Sequence, residues 1–323
     1  MNALRRSVTA AVLAVLATAG ALAQSYPAKP ITLVVPFAPG ASADGIARIV
    51  GRELSASLGQ PVVVDNKPGA GGALGLIAVS KSSPDGYTIG LGATGAVAVN
   101  PHLPDAPPLR PEKDLLPLAK LADIPLVFVT STGSGHGNLQ AFLNAARKNP
   151  DGLSYGTSGQ YTSQHLSGEL LASMAKVRLV PVPYRGSGPA VTDLLGGMVP
   201  AAMVDLTSAY PHIKAGKLVA LGITSATRSS VAPDIPTLAE EGVKGFAAPA
   251  WMGLFLPAAT PAPISGKLMA ALQKVMANPT VQAQITALSA EPAYADGSSF
   301  GRFIAQESRK WGEVIARIPP PAK

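Results

Sequence analysis

The chain contains no cysteine among its 323 residues. That excludes disulfides, thiolate metal sites and the cysteine-linked lipid anchor of an exported lipoprotein. Aromatic residues make up only 5% of the sequence and charged residues 14%, and the basic side chains are scattered. No basic stripe interleaved with aromatics is available to follow a nucleic-acid backbone, so no nucleic-acid partner is expected. Beyond residue 23 no apolar run is long and uninterrupted enough to supply the roughly 20 residues of a bilayer span. His102, His136, His165 and His212 fall in separate segments with no ligand spacing such as H-E-x-x-H, so neither a metal nor a cofactor is expected.

What is present in quantity is apolar residues, at 47%, punctuated by 33 glycines and 31 prolines. Arg5 and Arg6 precede an apolar run from Val8 to Ala19, and Ala21-Leu-Ala23 offers a small-residue cleavage site before Gln24. About a dozen apolar residues are short for a membrane anchor, so residues 1–23 read as a secretory signal peptide. The whole chain carries a net charge of +7; without the leader, 24 basic against 19 acidic side chains leave +5. That mild field favours small anions. Roughly 300 mature residues can bury two cores of ordinary domain size, so two lobes are expected.

The stretch Ile31-Thr-Leu-Val-Val-Pro-Phe-Ala-Pro-Gly40-Ala-Ser-Ala-Asp44 joins an apolar strand to a helix through a proline- and glycine-rich turn. Ser42 or Asp44 can cap that helix, whose inner face reads Ile46, Ile49, Val50, Leu54, Leu58, with Gly59 as its stop. Free N–H groups and the positive dipole end at such a junction attract a carboxylate or phosphate. A second junction of this kind, Val62 to Gly75, carries Gly69, Gly71 and Gly72 and leads into a short helix from Leu74 to Ser80. Two such loops at the carboxyl ends of adjacent parallel strands flank one crevice.

Strand and helix patterns then alternate: strands at 87–91 and 126–129, a helix over Leu139, Phe142, Leu143 and Ala146 capped by Asn138, and a strand at 153–156. Further on come a helix at 162–174, strands at 179–182, 201–204 and 218–223, and helices at 189–195 and 209–215. This predicts an α/β protein with mainly parallel sheets flanked by helices. The glycine-rich Ser131 to Gly137 marks a crossing towards the second lobe. After a strand at 251–256, three helical patterns end in one that carries Phe300, Phe303 and Trp311. Such a face needs a large partner surface, so the C-terminal helix is expected to return to the first lobe, with Trp311 in its core. The lobes are then 24–125 plus 246–323, and 126–245, with two or three strands bridging them.

Two rival motifs are weak. Gly90-Leu-Gly92-Ala-Thr-Gly95 matches G-x-G-x-x-G after a strand, but Pro101 cuts short the helix a dinucleotide site needs. Gly152-Leu-Ser154-Tyr-Gly156 matches the hydrolase G-x-S-x-G, yet Ser154 falls inside a strand. His165, one turn into a helix, reads as a packing or capping residue.

An ordered set of motifs spans the mature chain: Tyr26-Pro-x-Lys-Pro30, Val35-Pro-Phe-Ala-Pro-Gly40, Asp44-x-x-Ala-Arg48, Asn66-Lys-Pro-Gly-Ala-Gly-Gly72 and Pro84-Asp-Gly-Tyr-Thr88. They continue with Tyr155-Gly-Thr-Ser-Gly159, His165-Leu, Val182-Pro-Tyr-Arg-Gly186, Asp193-Leu-Leu-x-Gly197, Ala215-Gly-Lys-Leu218 and Pro236-Thr-Leu-x-Glu240. In this order they resemble the periplasmic receptors of tripartite tricarboxylate transporters, the Bug-type solute-binding proteins. The resemblance implies a two-lobed Venus-flytrap periplasmic-binding-protein fold that closes on a small carboxylate held largely by backbone N–H groups and water. It implies a monomeric, non-enzymatic receptor in the periplasm that serves permease subunits, with a di- or tricarboxylate, an amino acid or an aromatic acid as ligand. A carboxylate sensor that partners a signalling kinase, or a periplasmic serine hydrolase, are the alternatives. One departure stands out: Gly40-Ala41 replaces the family's Gly-Gly.

The expected ligand contacts in the first lobe are Phe37, Ala38, Gly40, Ala41, Ser42, Ala43 and Asp44, with Gly71, Gly72 and Thr94 nearby. From the second lobe they are Thr157, Ser158, Gly159 and Gln160, where a strand enters a helix, joined by Tyr184 and Asp205 at strand ends. Asp44 serves equally as a helix cap. Asp205 repels a carboxylate unless the ligand carries an amine or hydroxyl.

Overall fold

The computed structural model describes residues 26–103 and 105–316. The expected signal peptide lies outside the described residues. The first half alternates strand and helix: β1 (Ile31–Val35), α1 (Ser42–Leu58), β2 (Val62–Asn66), α2 (Ala73–Ser80), β3 (Thr88–Ala93) and β4 (Leu115–Ile124). Next come β5 (Leu126–Ser131), α3 (Leu139–Lys148), β6 (Leu153–Thr157), α4 (Ser163–Ala175), β7 (Leu179–Pro183), α5 (Ser187–Leu195), β8 (Ala201–Asp205), α6 (Leu206–Lys214) and β9 (Leu218–Ile223). The chain closes with β10 (Ala250–Pro257), α7 (Ala262–Ala277), α8 (Pro279–Ala287), β11 (Glu291–Asp296) and α9 (Gly297–Ile315).

The strands form two sheets flanked by helices, one of six in the order β11-β4-β10-β3-β1-β2 and one of five in the order β7-β6-β8-β5-β9. Both are mixed, a correction to the mainly parallel arrangement expected. Strands β1 to β3 are parallel, as are β6 to β8, but β10 runs antiparallel to β3 and β4, and β5 antiparallel to β8 and β9. The reason is topological. The parallel strands finish at the edge where the two sheets meet, so a strand that arrives from the other sheet starts there and must run the opposite way. Strand β5 arrives through Pro125 and β10 through residues 224–249. The glycine-rich 131–137 stretch is the β5–α3 connection, not a crossing.

Two strands escape the sequence pattern. In β4, Pro117 interrupts the apolar run, and the structure accommodates it opposite Phe255 at a register shift, the bulge a strand proline needs. The edge strand β11 carries Pro292 and another shift, and is mostly half-exposed.

Apolar alternation sorts β5 between two cores. Leu126 and Phe128 join the core that runs through the first sheet, whereas Val127 and Val129 pack with Ala190, Leu194 and Ala209 on the opposite face. The C-terminal helix returns to the first sheet as expected. Phe300 meets Trp251 at 5.3 Å and Phe255 at 5.3 Å between ring centroids, both edge-on or tilted, and Trp311 is buried.

Candidate functional site

Between the sheets lies a cavity of about 30 Å³, room for one or two water-sized groups. The cavity is walled by the ends of β3 and β4, the start of β10, and the first residues of three helices: Ser42 and Ala43 of α1, Ser163 and Gln164 of α4, and Ser187 of α5.

The first N–H groups of a helix have no partner within it. In α1 and α5 the cap positions are Ala41 and Gly186, which offer no side-chain acceptor, and in α4 the Thr162 hydroxyl accepts only from the His165 N–H. Each N-terminus carries about half a positive charge. Among the described residues, no Lys, Arg or His lines the cavity. Ser158 adds a buried hydroxyl with no protein partner among the described residues. The arrangement suits an anion held by backbone donors and hydroxyls.

Asp205 closes the cavity across the two sheets. Its carboxylate accepts from Ser42 Oγ of the first-sheet side and from Gln164 Nε2, while its own N–H donates to Ser187 Oγ at 3.1 Å. Burial pushes its carboxyl above the usual carboxylate range, against the opposing pull of those hydroxyl and amide donors.

Two glycines seat one half of the molecule on the other. A Cβ on Gly71 would lie 2.8 Å from the Gln160 carbonyl oxygen, and one on Gly95 would lie 2.6 Å from that of Tyr161. Only glycine permits this approach. The same crowding explains the G-x-G-x-x-G match: Gly90 and Gly92 give room to Val79 and Phe255. Ser154 is a mid-strand residue paired with Val180 and does not line the cavity.

Of the residues expected at the site, Phe37, Ala41, Ser42, Ala43, Gly71, Ser158 and Asp205 line the cavity. Ala41 has φ −68° and ψ 159°, an ordinary extended conformation, so the family's second glycine is replaced without backbone strain, at the cost of a methyl group in the cavity. The others stand aside. Ala38 closes a turn to the Ala41 N–H, and Gly72 packs beside Phe37. Thr94 Oγ1 accepts from the Trp251 N–H at 2.9 Å, and Thr157 Oγ1 from the Gly159 N–H at 3.3 Å. Gln160 is exposed. Tyr184 donates to Asp193 at 2.8 Å, outside the lining; burial and that carboxylate push its phenol up to about 12.

Asp44 is neither the helix cap nor a cavity residue. Ala41 is the cap, and the Asp44 carboxylate, third in α1, accepts from the Gly40 N–H at 3.0 Å, Arg48 Nε at 2.9 Å and Asn66 Nδ2 at 2.9 Å. Burial alone would raise its pKa; those donors outweigh it and hold the group below the usual range. It braces the loop with its charge compensated.

Sequence reasoning missed Thr162 to Gln164, Gly186, Ser187, Gly95 in the turn after β3, and the strand ends Ala93, Ile124 and Ala250 to Met252. A signal existed for the helix starts. Thr162 opens a helix by its capping chemistry, so the residues just after it, rather than 157–160, present the free donors. His165 does act locally, with Nδ1 accepting from the Tyr161 N–H at 3.0 Å.

The model of the tripartite tricarboxylate transporter family receptor matches residues 46–319. Protein BugT of Bordetella pertussis is 37% identical over 305 residues, covering 93% of this chain and 94% of that protein. Two solved structures are similar over nearly the whole fold. Rpa4515 of R. palustris, solved with adipate, superposes with TM-score 0.86 at 30% identity, covering 91% of this chain and 98% of that one. MatC of Rhodopseudomonas palustris, solved with bound malate, gives TM-score 0.83 at 32% identity, with 90% and 100% covered.

Proposed function

The chain belongs to the tripartite tricarboxylate transporter receptor family, and from that premise we propose that it captures a small organic carboxylate between its two lobes and delivers it to the permease subunits of such a transporter. The observation that carries this reading is the convergence of three helix N-termini, from both sheets, on one cavity without a cationic side chain. Donors from both sides select for a ligand that bridges them, which is the logic of lobe closure around a solute.

Adipate and malate, the acids held by two structural relatives, belong to the proposed class. The lobes are residues 24–125 plus 246–323, and 126–245, with rotation about Pro125 and the 224–249 connection. The receptor works in the periplasm as a monomer after loss of the 1–23 leader and carries out no catalysis, a reading supported by its likeness to the periplasmic binding protein BugD and to a TctC solute binding protein from Polaromonas. Charge-assisted hydrogen bonds contribute about 1.5–3 kcal/mol each, so several of them reach the roughly 8 kcal/mol of a micromolar complex after ordering costs.

A thermal-shift screen of the mature chain against mono-, di- and tricarboxylates, neutral sugars and nucleotides tests the proposal. Stabilisation by carboxylates and not by sugars or nucleotides is expected. A shift with sugars alone would refute the anion site.

A further inference from the structure

We infer that Asp205 sets the ligand class: the cleft takes an acid that bears a hydrogen-bond donor on the carbon beside its carboxylate, a 2-hydroxy or 2-amino acid, in preference to the plain acid of the same length. The inference rests on the carboxylate-receptor reading and narrows it.

Asp205 is the one acidic side chain among the described residues that line the cavity, and it is 5% exposed. Among the described residues no ion pair compensates it; its partners are the neutral Ser42, Gln164 and Ser187. A carboxylate offers about four acceptor positions. Ser42 takes one on Oδ2 and Gln164 one on Oδ1, and with Ser187 beside them at most three of the four are used, which leaves acceptor capacity for a ligand donor.

The cavity therefore makes two opposite demands. The N-termini of α1, α4 and α5 attract a carboxylate, and Asp205 beside them repels it and calls for a donor. Ser42 ties the two demands to one length scale. It is the first residue of α1 and also the donor to Asp205, so the anion position and the acceptor stand one hydrogen bond apart. A substituent on the adjacent carbon of a carboxylic acid has that reach. A plain aliphatic acid placed there sets like charges together and leaves the free acceptor positions unmatched.

Calorimetric titration of the mature chain with matched pairs decides the matter: malate and aspartate against succinate, 2-hydroxyadipate against adipate, and lactate against propionate. The donor-bearing member should bind about ten- to a hundredfold tighter, the 1.5–3 kcal/mol of a hydrogen bond to a charged group taken at 1.4 kcal/mol per decade. In Asp205→Asn the side chain itself can donate, so the plain acid should gain and the ratio should fall to about threefold or less. If Asp205→Asn has no cooperative thermal transition, Asp205→Ser serves, since it also removes the charge. Plain acids that match or exceed their partners on the wild-type chain would overturn the inference and leave the carboxylate reading standing. Binding of neither member of any pair, with sugars bound instead, would overturn both.

Discussion

Gly95→Ala should uncouple ligand binding from folding. Gly95 stands in a right-handed turn after β3, where alanine is tolerated, but its Cβ would lie 2.6 Å from the Tyr161 carbonyl oxygen, 3.1 Å from Thr162 Cα and 3.3 Å from Ser163 N. All three are backbone atoms of the segment that joins β6 to α4, and none can rotate away. Ordinary contact begins at about 3.4 Å, so the two surfaces would have to separate by about 0.8 Å. A donor–acceptor distance of about 2.9 Å stretched by that amount is no longer a hydrogen bond. A ligand bridging α1 to α4 and α5 would lose its contacts on one side. Two charge-assisted bonds are worth about 3–6 kcal/mol together, so affinity should fall by about a hundredfold or more. Calorimetry on a stabilising carboxylate reads the affinity, and circular dichroism on heating reads the fold, where Tm should move by no more than a few degrees. Gly266→Ala, with open space around its Cβ, is the control and should bind as wild type does. Affinity within about threefold of wild type in Gly95→Ala would refute the idea that closure at this seat assembles the site. Gly71→Ala is a poorer probe, because its φ of +62° adds backbone strain to the clash.

Three further outcomes are expected. Ala43→Asp puts a carboxylate among the α1 donors, and at about 5 Å and an effective dielectric near 20 its repulsion of a bound anion is about 3 kcal/mol; a calorimetric loss smaller than twofold would remove α1 from the site. Asp44→Ala strips the loop's carboxylate from three donors and should cost about 1–3 kcal/mol in urea titrations at neutral pH. Because the folded pKa of Asp44 is depressed, its contribution is present above the unfolded carboxylate range and is lost as pH falls through the folded value, so the penalty should shrink in acid. Burial lowers His165 from 6.5 to about 4, so the folded state binds fewer protons than the unfolded chain between those values; stability should fall by about 3 kcal/mol as pH drops across that window, and His165→Asn should flatten the slope measured by chemical denaturation.

Much of the architecture was legible because it is written in short-range chemistry. The apolar run Ile31 to Val35, the helical spacing of Ile46, Val50 and Leu54, the Gly59 stop with its φ of 69° and the Asn138 cap each act within a turn or two of the chain. The order of loop motifs along the chain was enough to place the family. Where local chemistry was ambiguous, the reading failed: β4 and β11 carry prolines and half-exposed residues, and their pairing is decided by neighbours more than a hundred positions away.

The site divides along the same line. That strands run into helices with free N-terminal donors follows from the sequence alone, because capping and dipole depend on adjacent residues. Which of those helix ends meet does not. Ser42 faces Asp205 across 163 positions, and Gly71 and Gly95 receive the 160–163 turn only once β5 and β10 have carried the chain from one sheet to the other and back. Asp44 and Asp205 both stand at strand–helix junctions, and only their long-range surroundings separate them. Arg48 and Asn66 compensate the first in a brace, while the second is left uncompensated in the cavity wall. Charge in a protein interior is governed by what tertiary contact brings within hydrogen-bond reach, and the local sequence holds no record of that.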